Sequence, residues 1–368
     1  MNPRHSPAPK FVRKSIAHWG DRTIEPGQRR QLRLEAGESF SGTQVKLPVL
    51  VWRGPQPGPV VGITAAIHGD EINGTGAVLR LIQERPLIPV HGSLLLVPVV
   101  NILGYERHSR YTPDRRDLNR SFPGNAAGSL SARQARLVFD EIISRCDYII
   151  DLHTAAVRRT NFPNVRADVA RPEVERLARA FGCEVVVNGV GPDGSLRRSA
   201  CEHGVPTIVI EAGEPWKVEP SVQELTLRGI ANVLSELGVV DTCPLPPPHQ
   251  VIVEETRWVR AGCGGFLQFH VKPGDTVTAG QALATNSGLL GRQQEIILSP
   301  HDGLVLGMTT MPAVVPGDPV VHIALPSTGR QFRQVEKGIA SLQGDAIESQ
   351  VREHLATSFT VVHVDEET

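Results

Sequence analysis

The sequence predicts an α/β fold: a mixed, mostly parallel sheet flanked by helices, with a smaller C-terminal all-β domain. Three observations carry that expectation. Five short runs are apolar from end to end and are separated by segments of helical periodicity. A proline-rich stretch, CPLPPPHQ at 243–250, then interrupts the chain. Beyond it the pattern is β-rich and punctuated by glycine, and V-x-P-G-D-x-V occurs twice, at 271–277 and 314–320.

The apolar runs are PVVGITAAI (59–67), SLLLVPVV (93–100), DYIIDL (147–152), EVVVN (184–188) and PTIVI (206–210). Continuous apolarity suits strands covered on both faces, as in a sheet sandwiched between helices. Helical patterns cover 74–84, 131–145, 172–181 and 220–237. In SLSARQARLVFDEIISRC a serine stands ready as a cap before apolar residues recur at helical spacing. The alternation of strand and helix argues for one α/β domain. Proline cannot continue a helix, so 243–250 reads as a linker. The α/β pattern spans about 47–240, and after the linker come the β-rich unit and an extension over 327–368. That extension carries an amphipathic stretch and reads as peripheral.

The 368 residues have a net charge of −1 and a hydrophobic content of 40%, which gives no sign of a nucleic-acid or membrane partner. No apolar run is long enough to cross a membrane, and the basic leader lacks the apolar core of a secretory signal. The five cysteines are scattered and odd in number. They fit a reducing cytoplasm, where they serve as small core residues. Oligomeric state is not legible.

The chemistry concentrates at the ends of the apolar strands. AAIHGDEINGTGA, 65–77, places His68 and Glu71 three residues apart just after the first strand. Ligands in open α/β sheets gather at the carboxyl ends of strands. Zinc accepts imidazole and carboxylate ligands, and a catalytic zinc keeps three protein ligands. His153 ends a second strand in DYIIDLHTAA and completes a His2Glu set. Asp151, two residues earlier on the same strand face, could accept the imidazole's other N–H. A third strand ends in IEAGE, with Glu211 directly after the apolar run and Glu214 as the competing candidate for general base. The loop SRYTPDRRDLNRSFPGN, 109–125, offers Asn119 and Arg120, and guanidinium groups suit a carboxylate ligand.

In this order, HGDE, DLNRSFPG, DLHT and IEAGE resemble the succinylglutamate desuccinylase/aspartoacylase family, which belongs with the zinc carboxypeptidases. The resemblance spans about 28–326, because WVRAGCGGFLQFHVKPGDTVTAGQ and SPHDGLVLG look like the family's C-terminal β domain. It implies a flexible leader over 1–27, a catalytic domain over 28–243, a capping β domain over 244–326 and an extension over 327–368. That part also resembles a biotinyl/lipoyl-type barrel, although 278–313 holds no lysine to carry a cofactor. The resemblance implies one Zn²⁺ per chain on His68, Glu71 and His153, with Glu211 as general base. It puts the substrate-binding pair on Asn119 and Arg120, and an upstream arginine on Arg110. RRTNFPNVR adds Arg159, Asn161 and Arg166 as candidate contacts. The implied activity is deacylation of a small N-acyl amino acid or related carboxylate. The alternative is a metallocarboxypeptidase acting on a peptide or peptidoglycan fragment.

Overall fold

The computed structural model describes residues 11–84, 87–359 and 361. A 13-stranded mixed sheet runs through it. At its centre Thr207–Gly213, Tyr148–His153, Gln56–Ala65 and His91–Val97 lie side by side, all parallel. The sheet is mixed, as expected, but its parallel pairs are concentrated at the centre and antiparallel pairs flank them, so it is not mostly parallel. The N-terminal hairpin Arg29–Glu38/Gln44–Arg53 joins one side antiparallel. On the other side Arg159–Ala167 pairs antiparallel with Thr207–Gly213.

Strand alternation feeds two cores. Val61, Ile63, Ile150, Leu152, Ile208 and Ile210 face one cluster, where helices Asn73–Gln83, Pro172–Phe181 and Pro220–Glu236 bury their apolar stripes. Val60 and Ile149 face the other, where helices Leu130–Glu141 and Leu196–Glu202 bury Val138, Phe139 and Leu196. Burial on both faces explains why these runs carry no polar alternation. The serine expected as a cap is Ser129, whose side chain accepts from the Ala132 N–H.

The C-terminal strands divide between two sheets. Gly303–Thr309, Pro319–Leu325 and Glu255–Arg260 extend the large sheet through the pairing of Gly303–Thr309 with Arg159–Ala167. Gln293–Leu298, Ala282–Ser287, Gly265–Phe269 and Ala313–Val314 form a separate four-stranded sheet. A third core, with Leu267, Leu283, Val305 and Ile323, joins them. The repeated V-x-P-G-D-x-V is one turn built twice. Gly274 and Gly317 sit at φ +89° and +90°, where a side chain is strained. Asp275 accepts from the Lys272 N–H and Asp318 from the Val315 N–H, each at 2.9 Å.

Both termini are corrected in part. Residues 11–27 are not a free leader: Trp19 and Ile24 are buried, and Phe11 meets Phe139 edge-on at 5.5 Å. The extension carries helices Gly329–Ala340 and Ile347–Ala356, and it buries Val335, Val351 and Leu355. It is therefore part of the packed body. Residues 1–10 of the leader and 360 and 362–368 of the extension lie outside the described residues.

Candidate metal centre and pocket

Three parallel strands end together, and each delivers a candidate side chain at or just past its end. After Ala65 the chain turns through Ala66, at φ +49°, into the loop holding His68 and Glu71. Gly69 is required between them, because a Cβ there would lie 2.1 Å from the Gly104 carbonyl carbon. At the start of the following helix, Gly74 abuts Leu152 of the sheet, while Gly76 abuts Gln223 of the neighbouring helix. His153 ends the adjacent strand, and Glu211 is its register partner on the next. Register partners share a face, so Glu211 and His153 project to the same side.

His68, Glu71 and His153 offer ligand atoms that all lie within 4.8 Å of one another, and all three residues are buried. Nδ1 of His68 lies 2.7 Å from Glu71 Oε1, and Nδ1 of His153 lies 2.9 Å from Oε2. The Thr154 N–H also donates to Oε2, at 3.1 Å. Each ring's other nitrogen meets a carboxylate: His68 Nε2 is 3.1 Å from Asp117 Oδ1, and His153 Nε2 is 3.0 Å from Asp151 Oδ2. Asp151 is fixed in turn by the Thr64 hydroxyl at 2.7 Å. Arg110 donates to Glu71 Oε1 and to Asp117 Oδ2, each at 3.0 Å.

Burial disfavours charge at His68, Glu71 and His153, yet the pairing outweighs it. Glu71 is held well below the usual carboxylate range by His68 and His153. His153 is raised by Asp151 and Glu71, and His68 by Glu71 and Asp117. Buried carboxylates of this kind demand positive charge. A divalent ion fits the demand. Carboxylates behind both Nε2 atoms fix the ring orientations and place each Nδ1 beside Glu71, the arrangement that orients imidazole ligands. The donor set, two imidazoles and one carboxylate, is that of a single metal site with an open position.

Glu211 lines the same pocket. Its Oε2 accepts from Asn161 Nδ2 at 3.0 Å, and Oε1 lies 3.4 Å from Arg166 Nε. Glu214 points elsewhere: it is buried, accepting from Ser358 at 2.7 Å and paired with Lys217 at 2.9 Å. Asn119 Oδ1 accepts from the Leu196 N–H at 2.8 Å, and Arg120 Nη1 donates to the Asn119 carbonyl at 2.7 Å. Both line the pocket. Arg110 lines it too, but its guanidinium is engaged by Glu71 and Asp117.

The pocket holds about 550 Å³, and the C-terminal strands form one wall through Thr256, Trp258 and His322. Trp258 stacks on His322 at 4.5 Å with an interplanar angle of 3°, and the Arg159 guanidinium lies 4.9 Å over the Trp258 ring. Burial, with Arg166 and Arg159 nearby, pushes His322 down to about 3. Five arginines line the pocket: Arg110, Arg120, Arg159, Arg166 and Arg197. Sequence reasoning missed Asp117, Thr154, Arg197, Trp258 and His322. Asp117 stands in DLNR, two residues before Asn119, so its motif was visible although its role was not.

Comparisons with known proteins agree with this geometry. Residues 57–237 match the model of the Succinylglutamate desuccinylase/Aspartoacylase catalytic domain. N-alpha-acetyl-L-2,4-diaminobutyric acid deacetylase of Halomonas elongata is 27% identical over 337 residues, covering 82% of this chain and 97% of that protein. Among solved structures, a succinylglutamate desuccinylase/aspartoacylase from Rhodobacter sphaeroides superposes with a TM-score of 0.71 at 24% identity, over 81% of this chain and 96% of the other. The product-bound ectoine utilization protein EutE (DoeB) from Ruegeria pomeroyi gives 0.74 at 21% identity, over 85% of this chain and all of the other. At these identities the two structures speak for the fold.

Proposed function

Because this chain belongs to the succinylglutamate desuccinylase/aspartoacylase family through the domain at 57–237, we propose that it is a zinc-dependent deacylase. It hydrolyses the linear amide of a small N-acyl amino acid or related carboxylate. The observation that carries this reading is the meeting of the His68–Glu71–His153 cluster and Glu211 in one pocket of about 550 Å³.

His68, Glu71 and His153 would hold the ion, and Asp117 and Asp151 fix the two imidazoles. When bound, zinc supplies Lewis acidity, acidifying water and polarising the scissile carbonyl. Glu211 takes the proton from the attacking water and returns it to the leaving amine. Asn161 and Arg166 hold its two oxygens in place for that exchange. Asn119 and Arg120 grip a substrate carboxylate, and Arg110 braces Glu71 beside the developing oxyanion.

The wall of Thr256, Trp258 and His322 favours deacylation over the carboxypeptidase alternative, because a long peptide needs an open groove. We read 244–326 accordingly as a capping domain of biotinyl/lipoyl-like build on the catalytic domain of 28–243. Five free cysteines suit a cytoplasmic enzyme. The relative from Halomonas elongata is named for a substrate with a second amino group. Here the pocket's carboxylates are already engaged by histidines, Arg110, Arg166 and Asn161, while Arg120, Arg159 and Arg197 have no carboxylate partner among the described residues, which favours an acidic amino acid as the product. The test is a turnover screen of the zinc-loaded protein over N-acetyl and N-succinyl amino acids and short peptides. Faster cleavage of N-acyl amino acids is expected. Preference for peptides would transfer the site to the carboxypeptidase reading.

A further inference from the structure

The C-terminal extension reaches the rear of the strands that hold Glu211. In helix Ile347–Ala356, Arg352 is 7% exposed and grips Glu184 with both terminal nitrogens, at 2.8 and 3.1 Å. The same guanidinium lies 4.7 Å over the ring of Phe162. Phe162 sits beside Asn161, which donates to the Glu211 carboxylate. The side-chain amide of Asn164 then ties the two strands together, donating to the Phe162 carbonyl at 2.9 Å and the Glu211 carbonyl at 3.3 Å. Beyond the helix, Ser358 donates to Glu214, three residues past Glu211, at 2.7 Å. Phe359 meets Phe269 of the C-terminal β unit edge-on at 5.2 Å.

We infer that Arg352 and Ser358 are positioning residues, through which the C-terminal extension holds Glu211 and its partner Asn161 in register with the metal ligands. The inference rests on the reading of Glu211 as general base. Two separate contacts carry it, one onto the strand of Asn161 and one onto Glu214, just past the end of the Glu211 strand. Arg352 fixes Phe162, so Asn161 on the other face of that strand keeps its aim. Ser358 fixes Glu214, so the exit of the Glu211 strand stays closed against the loop that follows. A bidentate, buried guanidinium–carboxylate pair is rigid in a way a lysine contact is not. Displacement of a reacting group by about 1 Å can cost on the order of a hundredfold in rate, so loss of a remote brace is felt at the base.

The test uses the full zinc-loaded chain with Arg352→Met, Arg352→Lys and Ser358→Ala. kcat, KM and bound zinc are measured well below each variant's Tm. Amide hydrogen exchange is followed over Arg159–Ala167 and Thr207–Gly213, with Gln56–Ala65 as the internal control. Arg352→Met is expected to lower kcat about tenfold, with KM and zinc content within about threefold of wild type. Exchange in the first two strands quickens and that of the control strand does not. Arg352→Lys falls between the two, and Ser358→Ala lowers kcat about threefold. A purely structural role lowers Tm and leaves kcat of the folded variant alone. Wild-type kcat together with wild-type exchange in Arg352→Met overturns the inference. Should that variant not fold, the same result in Arg352→Lys and Ser358→Ala does so. If the wild-type chain cleaves no N-acyl amino acid, the deacylase reading fails, and the exchange data alone decide the brace.

Discussion

Glu211 is the residue on which the proposed chemistry turns, because among the described residues it alone in the pocket combines an accessible carboxylate with a place beside a proposed metal ligand. Glu211→Gln keeps the shape and the contact with Asn161 but cannot carry a proton. Turnover should fall about a thousandfold while bound zinc stays at one per chain, as read by kcat and metal analysis. The same loss from Glu214→Gln, with Glu211→Gln active, would reverse the assignment. Asp117 and Asp151 act through the imidazoles. Asp117→Asn or Asp151→Asn should weaken zinc binding about ten- to a hundredfold in competition with a chelator. Unchanged affinity in both would mean that the rings need no carboxylate behind them. At this scale the sequence was legible where a motif closed an apolar strand, as at His68, His153 and Glu211. Asp117 was illegible because its role depends on how loop 109–121 folds back over His68, which no local pattern encodes. Trp258 and His322 lie more than a hundred residues beyond His153 and meet the site only through sheet pairing.

At the scale of elements, five strands and four helices announced themselves by unbroken apolarity or helical spacing. The strand Arg159–Ala167 did not. RTNFPNVRA is rich in arginine and asparagine, yet it is largely buried: Asn161 donates to the Glu211 carboxylate and Asn164 to the Phe162 carbonyl. The hairpin Arg29–Glu38/Gln44–Arg53 was missed for the opposite reason: its outer strand is mostly exposed and reads as a polar segment. The pocket wall assembled from such strands makes two predictions. Arg159→Gln should raise KM for N-acyl amino acids with acidic side chains about tenfold, the scale of one lost charged hydrogen bond, and leave neutral substrates within about twofold. Equal effects on both classes would remove Arg159 from substrate recognition. His322 has its pKa depressed in the fold, to about 3, so its contribution is complete above its unfolded value near 6.5 and is lost as pH falls toward 3. His322→Phe keeps a flat ring against Trp258 and removes the titration. Its Tm should therefore fall less steeply than wild type between pH 6.5 and 4, by up to about one proton's worth, or about 1.4 kcal/mol per pH unit. Parallel Tm curves would show that His322 titrates normally.

As a whole molecule, the chain is joined more closely than its composition suggests. The proline-rich 243–250 stretch marks a change of pattern, but the C-terminal strands return to the catalytic sheet through Gly303–Thr309. The extension then crosses back to grip Glu184 and Glu214. Composition registers a linker and an amphipathic tail; it does not register where they dock, because docking depends on single long-range pairs. The proposed chemistry rests on a divalent ion among His68, Glu71 and His153. The most direct measurement is metal content and N-acyl amino acid turnover of the same preparation before chelation, after it, and after zinc is returned. One zinc per chain, loss of turnover with the metal and recovery with one equivalent are the predicted results. Full turnover by the metal-free protein would contradict the account.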